Sequence, residues 1–273
     1  MIDALKFDKP ISMEKLNLLK GRLACVTGAS SGFGKAASLA LAQQGCDLIL
    51  VARRYDRLKA LAEQLRDTYQ INAWPIECDL ASVKAIQSLV STHEETFQKV
   101  SILINSAGLA AGVDSIQEAS LEDWNQMIDV NVRGLFTLTR KLLPFLRKQP
   151  HADIVNLGSV AGRWVYPGGG VYCATKHAVR AFSEGLRMDL CGEPIRVSTV
   201  EPGMAETEFS EVRLKDKKAA KEVYQGMKPL SAEDVAQTIT WVLTQPAHVT
   251  IQEVVIYPTS QAAVKQVHRQ KAT

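Results

Sequence analysis

The chain has 273 residues, 46% of them apolar and 22% charged, with a formal charge of +3 dispersed along its length. That is enough chain for one large α/β domain or two small ones, and so thin a positive excess argues against a nucleic-acid groove. No apolar run reaches the eighteen residues that a membrane span needs, and the first twenty residues lack a signal peptide's uninterrupted apolar core.

The five cysteines (Cys25, Cys46, Cys78, Cys173, Cys191) are odd in number and show neither CxxC nor Cys/His metal spacing. They are expected to be reduced, mostly buried thiols of a cytoplasmic protein, and no metal site is expected. Residues 1–20 read as an N-terminal extension with a short helix over 13–19. Residues 21–260 read as one domain and 261–273 as a polar tail.

Arg22 to Thr27 is a short apolar run, the pattern of a fully buried strand. It enters Gly28-Ala29-Ser30-Ser31-Gly32-Phe33-Gly34 and then a helical stretch, Lys35 to Gln44, closed by Gly45. Strand, glycine turn and helix are the layout of a dinucleotide site. The glycines let backbone approach a pyrophosphate, and the helix N-terminus offers free N–H groups. The spacing is Gly-x-x-x-Gly-x-Gly rather than GxGxxG, and a glycine-rich hairpin is the competing reading.

The next strand, Asp47 to Ala52, ends in Arg53-Arg54. An acid at that strand end would accept from a free ribose 2′-hydroxyl. Two guanidiniums suit a 2′-phosphate, so the expected cofactor is NADP(H). A helix over 55–69 and a third strand over 73–77 follow, leading to Cys78-Asp79-Leu80. Asp79 can cap a helix over 81–97 and can accept from an adenine amino group. A fourth strand, 100–104, ends in Asn105-Ser106-Ala107-Gly108, where small residues let backbone lie against a ligand. A helical region from Leu121 to Leu146 is expected to be interrupted or ended near Pro144. Asn131 stands in its apolar stripe. It is either a satisfied core residue or one that bends the helix and holds a water.

A fifth strand, 152–157, leads to Gly158-Ser159, which puts Ser159 at a strand's C-terminal end, where open α/β sheets bind ligands. Tyr172 and Lys176 come next, one turn apart at the start of a helix whose apolar stripe is Val179, Phe182, Leu186 and Leu190. A fixed ammonium beside a phenol favours the phenolate, so Tyr172 is expected to have a lowered pKa and to move protons near neutral pH. YxxxK also occurs by chance, as a buried tyrosine beside a surface lysine. A sixth strand, 193–200, leads to Pro202-Gly203. The charged stretch 206–228 reads as a mobile substrate flap. A helix starting at Ser231 and a seventh strand, 250–256, complete an alternation that gives one parallel-sheet domain.

Together the motifs TGASSGFG, Asp79, NSAG, Asn131, Ser159, YCATK and Pro202-Gly203, in that order over residues 20–260, resemble the short-chain dehydrogenase/reductase family. The resemblance implies a seven-stranded, doubly wound Rossmann sheet with helices on both faces. It implies a catalytic tetrad of Asn131, Ser159, Tyr172 and Lys176. It also implies that Lys176 binds the nicotinamide ribose and that Thr207 touches the nicotinamide amide. Ser106 departs from the family, which usually carries a second asparagine there. Within the family, Val51-Ala52-Arg53-Arg54, the stretch 206–213, Pro246-Ala247-His248-Val249 and Ile256-Tyr257-Pro258-Thr259 are similar to NADP-dependent serine and 3-hydroxy acid dehydrogenases.

The reading is hydride transfer between NADP(H) and a small 3-hydroxy acid such as serine or L-allo-threonine. A broad carbonyl reductase and a non-catalytic NADP-binding regulator are the alternatives. Arg163 and Arg213 are the guanidiniums near the loop and flap that would meet a substrate carboxylate. By analogy the chain forms a homotetramer or dimer.

Overall fold

The seven apolar runs become seven parallel strands of one sheet. In the computed structural model, which describes residues 17–270, these are β1 (Leu23–Thr27), β2 (Asp47–Ala52), β3 (Ala73–Glu77), β4 (Val100–Asn105), β5 (Ala152–Leu157), β6 (Ile195–Pro202) and β7 (Glu253–Ile256). Their order is β3-β2-β1-β4-β5-β6-β7. Every residue of β1, β4, β5 and β6 is buried, which is why these segments read as continuous apolar runs rather than alternating ones. Pro75 is accommodated because β3 is an edge strand.

The helices are α1 (Gly32–Gln43), α2 (Tyr55–Tyr69), α3 (Val83–Thr92), the short α4 (Glu94–Phe97), α5 (Leu121–Ile128), α6 (Leu135–Leu146), α7 (Gly170–Asp189), α8 (Glu208–Leu214), α9 (Lys217–Glu222) and α10 (Ala232–Leu243). Leu58, Leu61, Ala62 and Leu65 recur along α2 at helical spacing and are its buried face. They join Leu41 of α1 and Ile239 of α10 on one side of the sheet. On the other side, Ile86 of α3, Leu138 and Leu142 of α6 and Leu186 of α7 form a second core layer. This is the doubly wound arrangement. Its strand order reverses between β1 and β4, and the crevice beyond their C-terminal ends is where such sheets take ligands.

Several boundaries differ from the sequence expectation. The helix after β3 starts at Val83, because Ser82, not Asp79, accepts from the Ala85 N–H as its cap. Asp79 instead folds a tight turn by accepting from the Ala81 N–H. Pro144 neither ends nor interrupts its helix, since it lies in the last turns of α6. The irregularity is upstream, where residues Asp129–Gly134 form a π-helical turn between α5 and α6. Strand β6 begins at Ile195, after a turn that bonds Glu193 N–H back to Leu190, and β7 begins at Glu253. The 206–228 stretch is two short helices, α8 and α9. Tyr224 ties it down, bonding to Ser210 at 2.6 Å and donating to the Ala205 carbonyl at 2.7 Å. The short helix over 13–19 falls largely outside the described residues.

At the N-terminal end of β5, remote from the crevice, Asp153 is buried between two arginines. It accepts from Arg22 Nη1 and from Arg196 Nε, each at 2.7 Å. Burial alone would raise this carboxyl, but His151, Arg196 and Arg22 together hold it below the ordinary aspartate value.

Candidate active site

The crevice has two connected parts. The first is lined by the β1–α1 turn, the ends of β2 and β4, and the start of α8. Gly28, Ser30, Ser31, Gly32, Phe33 and Gly34 form its floor, with Arg53 and Arg54 at one end and Asp79, Leu80, Ala107 and Gly108 along a wall. The turn requires its glycines. Gly28 has φ +68, and a Cβ there would lie 2.9 Å from the Ala107 Cα, while one on Gly34 would lie 2.5 Å from the Gly28 carbonyl oxygen. Ser31, the N-cap residue of α1, makes no side-chain cap bond, so the first-turn N–H groups face the crevice as a ready anion site. These features fit a dinucleotide pyrophosphate.

The two arginines behave differently. Arg54 donates to Ser31 Oγ at 2.6 Å, to Ser30 Oγ at 3.2 Å and to Glu208 Oε2 at 2.8 Å. Glu208 also pairs with Arg57 at 2.7 Å, so α8 is tied across the phosphate end of the groove. Arg53 is exposed and lines the same end. The involvement of Arg57 and Glu208 was not legible in the sequence, since 151 residues separate them.

Asn105 is a correction. Its side chain is buried under the sheet end, donating to Thr139 Oγ1 at 2.9 Å and Asn156 Oδ1 at 2.8 Å. It lines neither part of the crevice, and the ligand-facing residues of that stretch are Ser106, Ala107 and Gly108.

The second part is a cavity of about 610 Å³ lined by Ser159, Tyr172, Lys176, Pro202, Gly203 and Thr207. Each proposed catalytic side chain has a local reason for its place. Ser159 stands at the end of β5, where its Oγ accepts from the Ala161 N–H at 3.1 Å and starts a 3-10 turn, Val160–Gly162. Tyr172 and Lys176 lie in the first two turns of α7, on its buried side, and the Lys176 ammonium is 6.0 Å from the Tyr172 ring centre. Lys176 Nζ donates to the Leu157 carbonyl at 2.8 Å.

Asn131 lies in the π turn. Its Oδ1 accepts from the Leu109 N–H at 2.9 Å, and its Nδ2 donates to the Leu109 carbonyl at 2.8 Å and to Thr175 Oγ1 at 3.1 Å. A Cβ on Gly108 would come within 3.5 Å of both Asn131 Oδ1 and Lys176 Nζ, so the two side chains share one backbone neighbour. Asn131 is therefore a satisfied buried residue, and the π-helical turn is where it stands.

The electrostatics differ from the expectation in one respect. Burial pushes the Tyr172 phenol above its ordinary value; Ser159 and Arg213 pull it down without reversing the shift. Burial also brings Lys176 down from 10.5 to about 8, which weakens the very charge that was expected to acidify the phenol. The chain by itself therefore holds Tyr172 as the O–H form.

Of the two guanidiniums considered for a substrate carboxylate, only Arg213 is at the cavity. It donates to the Tyr166 hydroxyl at 2.9 Å and to the Gly168 carbonyl at 3.0 Å. Its charge lies 5.9 Å from the Tyr172 ring centre, and it takes part in no ion pair with a described residue. Arg163 is a correction. It is bound by the carboxylates of Glu201 and Glu253 and does not line the cavity.

The tail was read as merely polar, yet residues from it close one side of the cavity. Gln261 is buried and accepts from the Met204 N–H at 2.8 Å, while Val264, Lys265, Val267 and Arg269 line the wall. No periodicity marks such a segment, so the sequence carried no signal for it. Lys265 Nζ lies 5.1 Å from the Tyr166 ring centre. With Lys176, Arg213 and Arg269 it makes four cations on a cavity that no described carboxylate lines.

Residues 22–218 match the family described as short chain dehydrogenase. The chain belongs to that family. It is 45% identical over 239 residues to sulfoacetaldehyde reductase 2 of Chromohalobacter salexigens, covering 87% of this chain and 94% of that one. It is 37% identical to the NADP-dependent 3-hydroxy acid dehydrogenase of Schizosaccharomyces pombe, covering 94% of this chain and 100% of that one. Among solved structures, the closed form of a serine dehydrogenase complexed with NADP+ superposes with a TM-score of 0.83 at 41% identity, covering 91% of this chain and 100% of that chain.

Proposed function

We propose that the chain transfers a hydride between NADP(H) and the carbinol or carbonyl carbon of a small anionic hydroxy compound, a 3-hydroxy acid such as serine or L-allo-threonine. The hydride itself is carried by the nicotinamide when the cofactor is bound. Tyr172, kept protonated by burial, gives its proton to the carbonyl oxygen in reduction and takes it back in oxidation. Ser159 donates a hydrogen bond to the same oxygen as negative charge gathers there. Lys176 holds the positive charge behind the phenol and binds the nicotinamide ribose, and Asn131 keeps the π turn against Leu109 so that protons can be passed on from Lys176. Arg53 and Arg54 grip the 2′-phosphate.

One observation carries the substrate class: four cations and no described carboxylate line the cavity that holds Tyr172 and Ser159. A bulky neutral ketone would leave those charges unmatched. The likeness to sulfoacetaldehyde reductase 2 supports a second reading, in which the anion is a sulfonate. A homo-oligomer in the cytoplasm is part of the proposal, supported by apolar side chains left exposed on the α5–α7 layer, such as Leu121 and Met188.

The deciding experiment follows NADPH absorbance with L-serine, L-allo-threonine and 3-hydroxypropionate in oxidation and with sulfoacetaldehyde and aromatic ketones in reduction. Anionic substrates are expected to lead, and Lys265→Ala should raise their KM about tenfold while sparing neutral ketones. Tyr172→Phe should abolish turnover and still bind NADPH. A preference for neutral aromatic ketones refutes the anionic reading, and NADPH binding with no turnover of any substrate favours a regulator.

A further inference from the structure

The ion pair that takes Arg163 away from substrate lies behind two of the proposed catalytic groups. Glu201, near the end of β6, is 1% exposed. One of its oxygens accepts from Arg163, whose other arm bonds Glu253 on the adjacent strand β7. The second oxygen, Oε1, is buried and has no hydrogen-bond partner among the described residues. A buried carboxylate left half satisfied is costly and calls for a reason.

Two sets of contacts show where that charge bears. The loop carrying Ser159 runs from Gly158 to Arg163, and both ends rest on Glu201. A Cβ on Gly158 would lie 2.7 Å from the Glu201 Cγ, so glycine backbone lies directly on that side chain. The Gly158 N–H donates to the Val200 carbonyl, one residue before Glu201, at 2.9 Å. Arg163 at the far end is bonded to the same carboxylate. Lys176 lies against the same loop: its Nζ bonds the Leu157 carbonyl, next to Gly158, and a Cβ on Gly162 would lie 2.8 Å from the Lys176 carbonyl oxygen.

We infer that Glu201 is a positioning residue for the reaction: held by Arg163, it fixes the Gly158–Arg163 loop that presents Ser159 and sets a negative charge behind Lys176. This rests on the roles proposed above for Ser159, Tyr172 and Lys176. The direction of the electrostatic effect follows from the groups present. Burial drives the lysine towards its neutral form, and Glu201 opposes this. Around Glu201, whose carboxyl burial raises and Arg163 pulls back down, stand Arg163 from the loop, Glu253 from β7, Tyr257 just beyond β7 and Arg180 from α7, while Tyr172 lies beside Lys176 on α7 and Arg213 from α8 stands over the Tyr172 ring. Without the carboxylate, burial acts on Lys176 unopposed and its ammonium, 6.0 Å from the Tyr172 ring centre, is lost more readily.

The test is the pH profile of kcat/KM for oxidation of the best hydroxy compound by the full chain with NADP+. In Glu201→Gln the rising limb should move about one pH unit upward, a roughly tenfold loss near neutral pH, with KM for NADP+ held within about twofold. Glu201→Asp, which keeps the charge but shortens the arm, should return the limb to its wild-type position at reduced kcat. The double variant Arg163→Met with Glu201→Leu replaces the pair with apolar volume, a swap that folds tolerate, and should show the same displacement as Glu201→Gln. It decides the matter if Glu201→Gln does not fold. Wild-type titration in Glu201→Gln or in the double variant overturns the inference. Equal displacement in Gln and Asp assigns the effect to shape and overturns the charge role. A wild-type enzyme lacking any such limb overturns the proposed role of Tyr172 instead.

Discussion

Replacing Lys176 with methionine should make the protein more stable at neutral pH while destroying its activity. Lys176 is 7% exposed, and its pKa falls from 10.5 to about 8 on folding. A base whose folded pKa is depressed destabilises the fold wherever the unfolded chain still binds the proton more tightly. Each unit is worth about 1.4 kcal/mol, so the charged lysine costs about 3 kcal/mol at pH 7. Methionine keeps the volume and the rotatable stem but forfeits the bond to the Leu157 carbonyl, worth about 1 kcal/mol. The net gain is about 2 kcal/mol, or about 5 °C in melting temperature for a chain of this size. The assay is urea unfolding of both proteins at pH 7 and pH 10. Between the folded value near 8 and the unfolded one of 10.5 the wild type gains stability as pH rises, so the gap should narrow at pH 10. A variant less stable than wild type at pH 7, or a gap independent of pH, refutes the reasoning and places Lys176 among residues that stabilise the fold.

Two further outcomes follow from ion pairs elsewhere. Arg53→Ala combined with Arg54→Ala should weaken NADPH at least tenfold and NADH less than about threefold, as two charge-assisted contacts to a 2′-phosphate imply; fluorescence titration with each nucleotide checks this, and equal losses would discard the 2′-phosphate assignment. Asp153→Asn should cost about 3 kcal/mol, because it strands Arg22 and Arg196 with their carboxylate gone. Since the Asp153 carboxyl is held low in the folded state, its contribution is full above the unfolded value near 4 and fades as pH falls through the folded one. Unfolding curves of the two proteins should therefore converge in acid.

The sheet was legible because parallel strands buried on both faces must be short apolar runs, and Leu48–Ala52 or Ile102–Ile104 can be little else. The glycine turn and the Tyr172/Lys176 pair were legible because backbone approach and helical spacing are local properties. What escaped depends on pairing across the chain. Whether Arg163 meets substrate or Glu201 is a question about residues 38 positions apart, and nothing in its neighbours answers it. The same holds for Asn105, whose partners come from α6 and β5. The phenol of Tyr172 was assigned the wrong direction because proximity to Lys176 could be read from spacing, whereas the depth of burial of both groups could not.

The π-helical turn at Asp129–Gly134 has a consequence for how this chain can vary. Five-residue bonding adds one residue to the coil without lengthening it by a full step, and it is what sets Asn131 against Leu109 while α6 still lays Leu138 and Leu142 on the sheet. A single insertion or deletion between Leu121 and Leu142 would rotate one of those two surfaces by about 100° relative to the other. Length in that stretch is therefore frozen.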